Sequence, residues 1–388
     1  MLRALHTADV HLGARHTDLG DQAAALRGRR SAAFAATVDL ALAEKVDLLL
    51  VAGDLFDSNT QPRRSVEAVA AQLARLVQAR VRTVITPGTH DVYDRASIYR
   101  AYDLAALAGS PEGDEWVTVL TPDVPEVHFP TLDAIVYGTV FETKRAPASP
   151  LAGLGAAADE RATWKIGLLH SAIVIPGVVE QDEVIVTTDE IAASGLDYLA
   201  LGHWHSLQQG VAGSVTWAYS GAPEPVAIDQ DAAGRVLLVT FDATGGKKSV
   251  ALEERKVGRT RFEALEVDAA TVGSQPALLE RIAALADPDL VLDVRIAGLR
   301  PDELDLDAEE VQRAARDGFF RLRVRDRSIP TLTEGLLPSP DTIAGAFIRD
   351  LEGRIAELEA AEQADEAAEL RDALRLGRLL LAGHEVTL

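Results

Sequence analysis

Five apolar runs in the first half of the sequence end directly in histidine or aspartate residues. The polar segments after these runs are Asp9-Val10-His11, Gly53-Asp54-Leu55-Phe56-Asp57, Pro87-Gly88-Thr89-His90-Asp91, His170 and Gly202-His203-Trp204-His205. Helical patterns over 22–45 and 65–80 separate the first three runs, and strands that alternate with helices predict an α/β sheet layered with helices. Ligands bind at the carboxyl edge of such sheets. We therefore expect these side chains to converge, although they are far apart in the sequence.

Each of these segments alone is weak evidence for a functional site. A D-x-H or G-D sequence after a strand arises often by chance, and a single histidine is usually a core or surface residue. The H-x-H pair is more specific, because both imidazoles can reach a pair of metal ions if the backbone turns there. Five such segments in succession are much harder to obtain by chance. We assign structural or surface roles to His6, His16, His128 and His384.

The residue types of these segments predict a particular kind of metal site. The sequence contains no cysteine, so a metal must bind histidine and carboxylate side chains. Neutral imidazoles with carboxylates suit Mn, Fe or Zn rather than Ca or Mg. Two divalent ions close together can clamp a phosphoester for in-line displacement. We expect two such ions, Mn²⁺ before Fe or Zn, bridged by Asp54, with His90 acting on the leaving oxygen and Asp57 orienting His90.

These segments resemble the motifs of the calcineurin-like metallophosphoesterases. Within that superfamily, the sequences HTADVHLG at 6–13, GDLFD at 53–57 and YSGAP at 219–223 are similar to the SbcD-type DNA repair exonucleases. The resemblance covers about residues 1–245 by motif. It extends more loosely to a small capping domain and to C-terminal helices.

The resemblance implies a set of ligands for each of two metal ions. The ligands implied for the first ion are Asp9, His11, Asp54 and His205, and those for the second are Asp54, His170 and His203. The family also uses an asparagine, whose amide oxygen binds the second ion, at the position that Thr89 occupies here. Threonine offers only a short, neutral hydroxyl. We therefore expect the second ion to bind less tightly or through a water molecule, and loss of nuclease activity is the alternative.

The predicted fold is a layered double β-sheet sandwich flanked by helices, the metallophosphoesterase fold, with a small α/β capping domain and C-terminal helices. Apolar strands continue over 214–256, which we interpret as a second sheet that closes the first domain. A β-α-β-α-β pattern follows, and an apolar stripe after residue 340 indicates a helix. The predicted domains are a metallophosphoesterase domain at 1–257, a capping domain at 258–332 and a helical partner-binding region at 333–388.

The net charge of −22 argues against a protein that coats nucleic acid by itself, because phosphate backbones bind lysine and arginine. A nucleic-acid substrate therefore requires bound metal ions, a basic partner or a local basic patch. Basic clusters occur at 63–64, 144–145, 247–248 and 321–327, although each is more simply a solvated surface charge.

The apolar runs of the sequence are all shorter than the ~20 residues that span a bilayer. Asp9 interrupts the N-terminal run before a signal-peptide core can form. We therefore expect a cytoplasmic protein without a membrane partner.

These observations lead us to expect a metal-dependent phosphodiesterase, a DNA exonuclease of DNA repair and recombination that works with an SMC-like ATPase. The resemblance implies that the C-terminal helices bind this ATPase, and the acidic stretch 352–372 would suit a basic groove. A helix packed on its own chain, or in a homodimer, is nearly as good an interpretation. Two other functions stay open: a metallophosphoesterase for a nucleotide or phosphomonoester, which the acidic charge favours, and an architectural subunit, which Thr89 favours.

Overall fold

The computed structural model describes residues 1–15, 22–154, 156, 160–174, 182–225, 227–230, 232–301, 304–330, 338–339, 341–361 and 363–381. His16 and His384, to which the sequence assigned structural or surface roles, lie outside these residues. The chain forms two compact units, residues 1–263 with 289–291, and residues 264–288 with 292–388. The boundary predicted between residues 332 and 333 stays a prediction.

The first unit begins with strands that alternate with helices and ends with strands alone. In chain order its elements are β1 (Leu2–Thr7), α1 (Gln22–Ala43), β2 (Leu48–Ala52), α2 (Arg63–Gln78), β3 (Arg82–Thr86), α3 (Ile98–Ala101), α4 (Leu104–Leu107), β4 (Val117–Val119), β5 (Glu126–Phe129), β6 (Ala134–Tyr137), β7 (Trp164–His170), β8 (Ala172–Ile173), β9 (Ile185–Val186), α5 (Thr188–Ala193), β10 (Tyr198–Gly202), β11 (Gln208–Ala212), β12 (Val215–Tyr219), β13 (Arg235–Asp242) and β14 (Ser249–Lys256).

Two six-stranded sheets form the first unit, in the orders β14-β13-β1-β2-β3-β4 and β11-β12-β10-β7-β6-β5. Strands β1 to β4 run parallel, and β13 is antiparallel to β1. In the second sheet β6, β7, β10 and β12 run parallel, with the antiparallel strands β5 and β11 at its edges. This arrangement of two large sheets with helices confirms the predicted fold class.

Alternate residues of the central strands face two different cores. Leu48 and Leu50 of β2 pack between the two sheets, where they meet residues such as Ile166. Leu49 and Val51 face the helices α1 and α2 on the other side of the first sheet. Because both faces are covered, the strand reads as a continuous apolar run rather than an alternating one. Each fully buried leucine contributes about 1.5–3 kcal/mol.

The interpretation of residues 214–256 as a separate second sheet is wrong. Strands β13 and β14 extend the first sheet, where Leu238 of β13 pairs with Leu5 of β1. Strand β12 belongs to the other sheet, where Trp217 pairs with Leu199 of β10. Apolar alternation indicates a strand, but it does not identify the edge with which that strand pairs.

The second unit contains most of a three-stranded sheet in the order β15-β16-β18, of which residues 261–263 and 289–291 are grouped with the first unit, and a two-stranded β17-β19 sheet. Its elements are β15 (Arg261–Asp268), α6 (Gln275–Ala283), β16 (Asp287–Ala297), β17 (Leu299–Arg300), α7 (Ala308–Ala315), β18 (Phe319–Asp326), β19 (Ile329–Pro330), α8 (Ile343–Ala360) and α9 (Ala364–Leu381). Helices α6 and α7 pack together and α7 packs on β18, where the Val324 N–H donates to Gln312 Oε1 at 2.8 Å.

Helices α8 and α9 form a hairpin. Ile348, Leu351 and Ile355 of α8 are buried against Leu374 of α9. Ion pairs join Arg378 to Glu352 and Arg371 to Glu359 across the two helices. The apolar stripe of α8 therefore packs largely within the chain itself. No helix in the described part of the chain has both the length and the hydropathy needed to cross a membrane.

Candidate metal centre

The loops after β1 and β2 run side by side at the carboxyl edge of the first sheet. The Asp9 N–H donates to Gly53 O at 3.1 Å, and the His11 N–H donates to Asp54 O at 2.9 Å. Each loop brings a buried carboxylate to this edge, Asp9 from the first loop and Asp54 from the second. Strands β7 and β10 of the other sheet end at the same cleft, where Gly202 pairs with His170.

Four candidate ligands have a left-handed backbone. The φ angles are 54° at Asp9, 49° at His11, 50° at Asp54 and 106° at His203. They make up half of the eight non-glycine residues with positive φ in the described part of the chain. This conformation costs on the order of 1–3 kcal/mol per residue and concentrates at functional sites. The strain is maintained because the hydrogen bonds between the two loops fix the backbone.

Seven predicted site residues fall into groups whose donor atoms lie within 4.8 Å of one another. The groups are Asp9 with His11 and His205, Asp9 with Asp54 and His170, and His11 with Asp57 and His90. The groups share Asp9 and His11, so they form one continuous centre. Thr89 lines a narrow cleft together with His170.

Two imidazoles point at each other in the first group. His11 Nε2 lies 3.1 Å from His205 Nε2 and 3.6 Å from Asp54 Oδ2. His205 Nε2 lies 3.9 Å from Asp9 Oδ1. His11 Nδ1 faces Asp57 Oδ1 at 3.5 Å, which favours a proton on Nδ1 and a lone pair on Nε2. A donor set of this kind fits a divalent cation.

His170 presents a buried nitrogen to the second group. Its Nδ1 donates to the main-chain oxygen of Ala52 at 3.0 Å, so in the neutral ring Nε2 carries the lone pair. Nε2 is buried without a hydrogen-bond partner, and it lies 3.3 Å from Asp54 Oδ2. This nitrogen therefore needs either a proton or a metal ion to face the Asp54 carboxylate favourably. Asp54 Oδ2 is therefore within reach of a histidine from each predicted ligand set.

The charges of the centre are unbalanced in the chain alone. Burial, together with the charge of Asp54, raises the pKa of Asp9 to about 7. Burial opposes ionisation of Asp54, but His170 and His11 outweigh it and hold the Asp54 pKa well below its usual range. Burial lowers the pKa of His170, yet the Asp54 and Asp9 carboxylates raise it to about 10. Buried carboxylates that repel one another fit a site for a cation.

His203 contacts the centre in a different way from the other histidines. Its main-chain N–H donates to Asp9 Oδ1 at 3.1 Å. Its ring centroid lies 5.2 Å from that of His170, and its ring nitrogen Nε2 pairs with Asp182 Oδ2 at 3.0 Å. His203 is absent from the three donor groups found among the described residues. The pairing with Asp182 leaves Nδ1 as the nitrogen that can bind a metal.

His90 is exposed at the mouth of the centre. Its Nδ1 lies 3.0 Å from the main-chain oxygen of Asp57. A carbonyl only accepts hydrogen bonds, so Nδ1 carries the proton and Nε2 is available to the substrate. The Asp57 carboxylate faces His11 instead, so Asp57 contacts His90 through its main chain. The His90 N–H donates to Asp54 Oδ1 at 2.8 Å.

The sequence did not identify several residues that support the centre. Asp91 accepts hydrogen bonds from the N–H groups of Gly88 at 2.7 Å and Phe56 at 3.0 Å and from Tyr99 Oη at 2.5 Å. These bonds tie the loop after β2 to the loop after β3. Asp91 stands inside a predicted segment with Gly88, but Phe56 is 35 residues away in the sequence, so no motif indicated that Asp91 joins the two loops.

Asp182, Gln230 and Arg30 were also not predicted. Gln230 Nε2 lies 2.8 Å from His205 Nδ1, and the buried Arg30 donates from Nη1 to His11 O at 2.9 Å. Burial lowers the pKa of Arg30 to about 10. Of these three residues, only Arg30 has a sequence signal, because it is a charged residue on the apolar face of α1.

His6 and His128 lie apart from these donor groups. His6 is fully buried, and its Nδ1 lies 2.9 Å from Tyr198 Oη. His128 is half-buried on the edge strand β5.

The sequence model of the calcineurin-like phosphoesterases matches residues 2–207. The chain is 27% identical over 282 residues to the DNA double-strand break repair protein Mre11 of Aeropyrum pernix, covering 71% of this chain and 65% of that protein. It is 28% identical over 264 residues to the SbcD component of the nuclease SbcCD of Rhodobacter capsulatus, covering 59% and 64%. It is 27% identical over 219 residues to the uncharacterized metallophosphoesterase YhaO of Bacillus subtilis, covering 53% and 49%. The chain thus spans about half to two thirds of the length of these relatives.

Proposed function

The chain belongs to the calcineurin-like phosphoesterase family, as the sequence motifs predicted, and from this premise we propose that it is a metal-dependent phosphodiesterase that cleaves DNA. The family supports a hydrolase that binds a dinuclear metal centre. The DNA substrate and the identity of the metal ions are the parts that we propose.

The observation that carries the proposal is the sharing of donor atoms between adjacent groups. Asp54 Oδ2 lies 3.6 Å from His11 Nε2 and 3.3 Å from His170 Nε2, and Asp9 belongs to two of the three groups. Shared carboxylates suit two ions close together rather than two separate sites. This supports Asp54 as the bridging ligand.

We propose that the residues implied by the resemblance hold the two ions. The first set is Asp9, His11, Asp54 and His205, and the second is Asp54, His170, His203 and, more weakly, Thr89. When bound, Mn²⁺ ions would neutralise phosphate oxygens and lower the pKa of water. The chain itself would hold the imidazoles in the right tautomer, through Asp57 for His11 and through the Ala52 carbonyl for His170.

His90 is the proposed general acid. Its Nδ1 contact with the Asp57 carbonyl directs Nε2 away from the loop, and a protonated Nε2 would donate to the leaving oxygen. We expect His90→Ala to lower kcat on a DNA oligonucleotide, whose leaving sugar oxygen requires a proton, by about 10²–10⁴-fold while metal content stays unchanged. A variant with normal kcat would exclude this role.

The choice of DNA rests on the named relatives. One is a DNA repair protein and another is part of a nuclease, and both are matched over more than half of this chain. The net charge of −22 counts against DNA, as does the relative that is known only as a metallophosphoesterase. A small-substrate phosphoesterase is therefore the second candidate.

We also propose an SMC-like ATPase as a partner, bound through the hairpin of α8 and α9. The proposal comes from the sequence resemblance. Ile343, Leu380 and Leu381 support it, because these large apolar side chains are exposed at the end of the hairpin away from its turn. A second copy of the chain is the alternative occupant of this end.

One assay set separates these functions. The purified chain would receive Mn²⁺ and, in parallel, linear DNA, hairpin DNA, a chromogenic phosphodiester and a chromogenic phosphomonoester. Asp54→Ala is the inactive control, and Asp114→Ala, at an exposed position, is the matched control. We expect cleavage of DNA and of the diester. Turnover of the small esters alone, even with an ATPase partner added, would favour the second candidate, and no turnover with no metal bound would favour an architectural subunit.

A further inference from the structure

Each of the four proposed histidine ligands has a second ring nitrogen with a partner of its own. For three of them this partner is an oxygen of a carboxylate or a main-chain carbonyl, which only accepts hydrogen bonds. An acceptor holds the ring proton on the nitrogen that faces it, so the other nitrogen keeps its lone pair for a metal ion. The three pairs are His11 Nδ1 with Asp57 Oδ1 at 3.5 Å, His170 Nδ1 with Ala52 O at 3.0 Å and His203 Nε2 with Asp182 Oδ2 at 3.0 Å.

His205 differs from the other three ligands, because its partner is an amide. Gln230 Nε2 lies 2.8 Å from His205 Nδ1, and an amide NH₂ group only donates hydrogen bonds. The Ala227 N–H donates to Gln230 Oε1 at 3.3 Å, which identifies the two ends of this amide. Nδ1 of His205 therefore accepts the hydrogen bond, and the ring proton lies on Nε2.

His11 independently places the proton of His205 on the same nitrogen. His11 Nδ1 faces Asp57, so His11 Nε2 carries a lone pair. This lone pair lies 3.1 Å from His205 Nε2, a distance that is favourable when one ring donates to the other. The proton of His205 therefore occupies the nitrogen that faces His11 and Asp9. A continuous chain of polar contacts runs from Gln230 through both histidines to Asp57.

We propose that Gln230 is a positioning residue that controls binding of the first ion through the tautomer of His205. The inference rests on the proposed role of His205 as a ligand. A lone pair on His205 Nε2 requires a proton on Nδ1, and hence an acceptor where the NH₂ group of Gln230 lies. Rotation of the amide supplies this acceptor, Oε1, in exchange for the long hydrogen bond from Ala227. The other three histidines need no such rotation.

A carboxylate at position 230 would remove the need for this rotation. Both carboxylate oxygens of glutamate accept, so Gln230→Glu should hold the proton of His205 on Nδ1. A carboxylate partner also increases the basicity of a ligand histidine. Glutamate and glutamine have nearly the same size, so this variant changes the hydrogen bond rather than the packing. Gln230→Met, in contrast, removes the donor without adding an acceptor.

The first measurement determines the tautomer of His205 by NMR on the full chain labelled with ¹⁵N-histidine, with EDTA present. His205→Ala identifies the signals of this ring. We expect the proton on Nε2 in the parent chain and on Nδ1 in Gln230→Glu. Gln209→Glu is the matched control, because it adds the same charge at an exposed position of β11 close to His205 in the sequence. This control should keep the proton on Nε2.

The second measurement determines the Kd for Mn²⁺ from the electron paramagnetic resonance of the free ion. The relevant site is the one whose affinity falls in His205→Ala. Gln230→Glu should bind Mn²⁺ at this site about tenfold more tightly than the parent chain, and Gln230→Met at least as tightly. If Gln230 only supported His205, Gln230→Met would bind more weakly. The Tm of each variant in EDTA, compared with that of the parent chain, shows that it is folded.

Three results would overturn the proposal: a proton on Nδ1 of His205 in the parent chain, weaker Mn²⁺ binding by Gln230→Met with an unchanged Tm, or an equal gain in affinity in Gln209→Glu. If the variants behave as expected but the parent chain cleaves neither DNA nor the chromogenic phosphodiester, the proposed function fails and the role of Gln230 stands. If DNA is cleaved and Gln230→Glu changes neither the tautomer nor the Kd, the role of Gln230 fails alone.

Discussion

At the scale of single residues, several atoms of the candidate centre are arranged for a partner that the polypeptide does not provide. His170 Nε2 is buried without a hydrogen bond, and His11 Nε2 and His205 Nε2 face each other at 3.1 Å. Burial lowers the pKa of both of these rings, so a second proton on either of them is unfavourable. A bound cation would give the buried imidazole nitrogens of the centre a common partner.

The first prediction concerns Thr89, which is buried beside His90 and lines the cleft of His170. Thr89→Asn supplies an amide oxygen with a longer reach than a hydroxyl. We expect Mn²⁺ affinity of the weaker site to rise on the order of tenfold, or about 1.4 kcal/mol. Titration calorimetry measures this change, with Thr89→Val as the variant that removes the hydroxyl. Equal affinity in all three chains would mean that residue 89 does not bind metal.

The second prediction concerns His6, which is fully buried between the sheets and whose pKa burial lowers to about 3. The folded state therefore keeps His6 neutral, whereas the unfolded chain protonates it below pH ~6.5. The stability from the neutral ring is present above pH 6.5 and is lost as the pH falls towards 3. As the pH falls below ~6.5, we expect the protonation of His6 in the unfolded chain to lower the unfolding free energy by about 1.4 kcal/mol for each pH unit.

Denaturant unfolding between pH 6.5 and 5 checks the His6 prediction. His6→Gln should remove this part of the slope, whereas His128→Gln, on an edge strand, should retain it. The same slope in His6→Gln as in the parent chain would show that His6 is not the group responsible.

The candidate ligands were predictable from sequence because each one follows a strand directly. Asp9, Asp54 and His170 needed only the rule that strand ends converge. Asp182 and Gln230 contact His203 and His205 from loops that no periodic pattern positions. Their roles depend on how those loops pack, which a motif does not encode.

At the scale of elements, the centre requires that the two sheets approach closely at their carboxyl edges. Gly202 ends β10 at this place, and a Cβ atom there would lie 1.8 Å from Ala52 O and 2.9 Å from Ala8 Cβ. Gly88 is similarly restricted, because its Cβ would lie 2.2 Å from Asp54 Oδ1. These glycines let strands and loops of different origin meet around the ligands.

The third prediction follows from this close approach. Gly202→Ala must push β10 away from β2, and we expect a loss of about 3 kcal/mol of stability with weaker metal binding. Gly28→Ala is the matched control, because Gly28 is exposed on α1 with nothing within 4 Å of a new Cβ. That change should stabilise the chain by about 0.5–1 kcal/mol. Equal stability of the two variants would contradict this account of the sheet contact.

Strands and helices were predictable as elements, but their partners were not. The apolar run at 47–52 predicted β2, which spans Leu48–Ala52. The runs that became β12 and β13 are adjacent in sequence yet belong to different sheets. Likewise, the helical pattern up to residue 381 did not indicate the break between α8 and α9. Pairing depends on long-range contacts, whereas periodicity reports only which face of an element is buried.

At the scale of the whole molecule, the strongly negative charge and the candidate centre are connected. Acidic residues outnumber basic ones by 60 to 38, so the chain repels a phosphodiester at long range. Divalent ions bound by the proposed ligands would reverse this repulsion locally. A phosphodiester of the proposed kind would therefore be attracted by this local positive charge rather than by the overall field of the chain.

The last prediction concerns the stabilisation of the first unit by metal binding. The proposed ligands come from loops after β1, β2, β7 and β10, so they belong to both sheets. Unfolding separates them, and an ion that binds only the folded unit stabilises it by mass action. At 100 times its Kd, Mn²⁺ should add about 2.7 kcal/mol per site, which corresponds to a rise of roughly 5–10 °C in Tm.

Tryptophan fluorescence measures this Tm, because all four tryptophans lie in the first unit. Asp54→Asn should abolish the Mn²⁺-dependent rise, since its carboxylate is within reach of histidines from both ligand sets. Asp114→Asn, an exposed aspartate far along the chain from any ligand, should show the full rise. If Mn²⁺ stabilises the parent chain and Asp54→Asn equally, the ion binds elsewhere and Asp54 does not bridge the centre. A rise in Asp114→Asn but not in Asp54→Asn would tie the stability of both sheets to this one carboxylate.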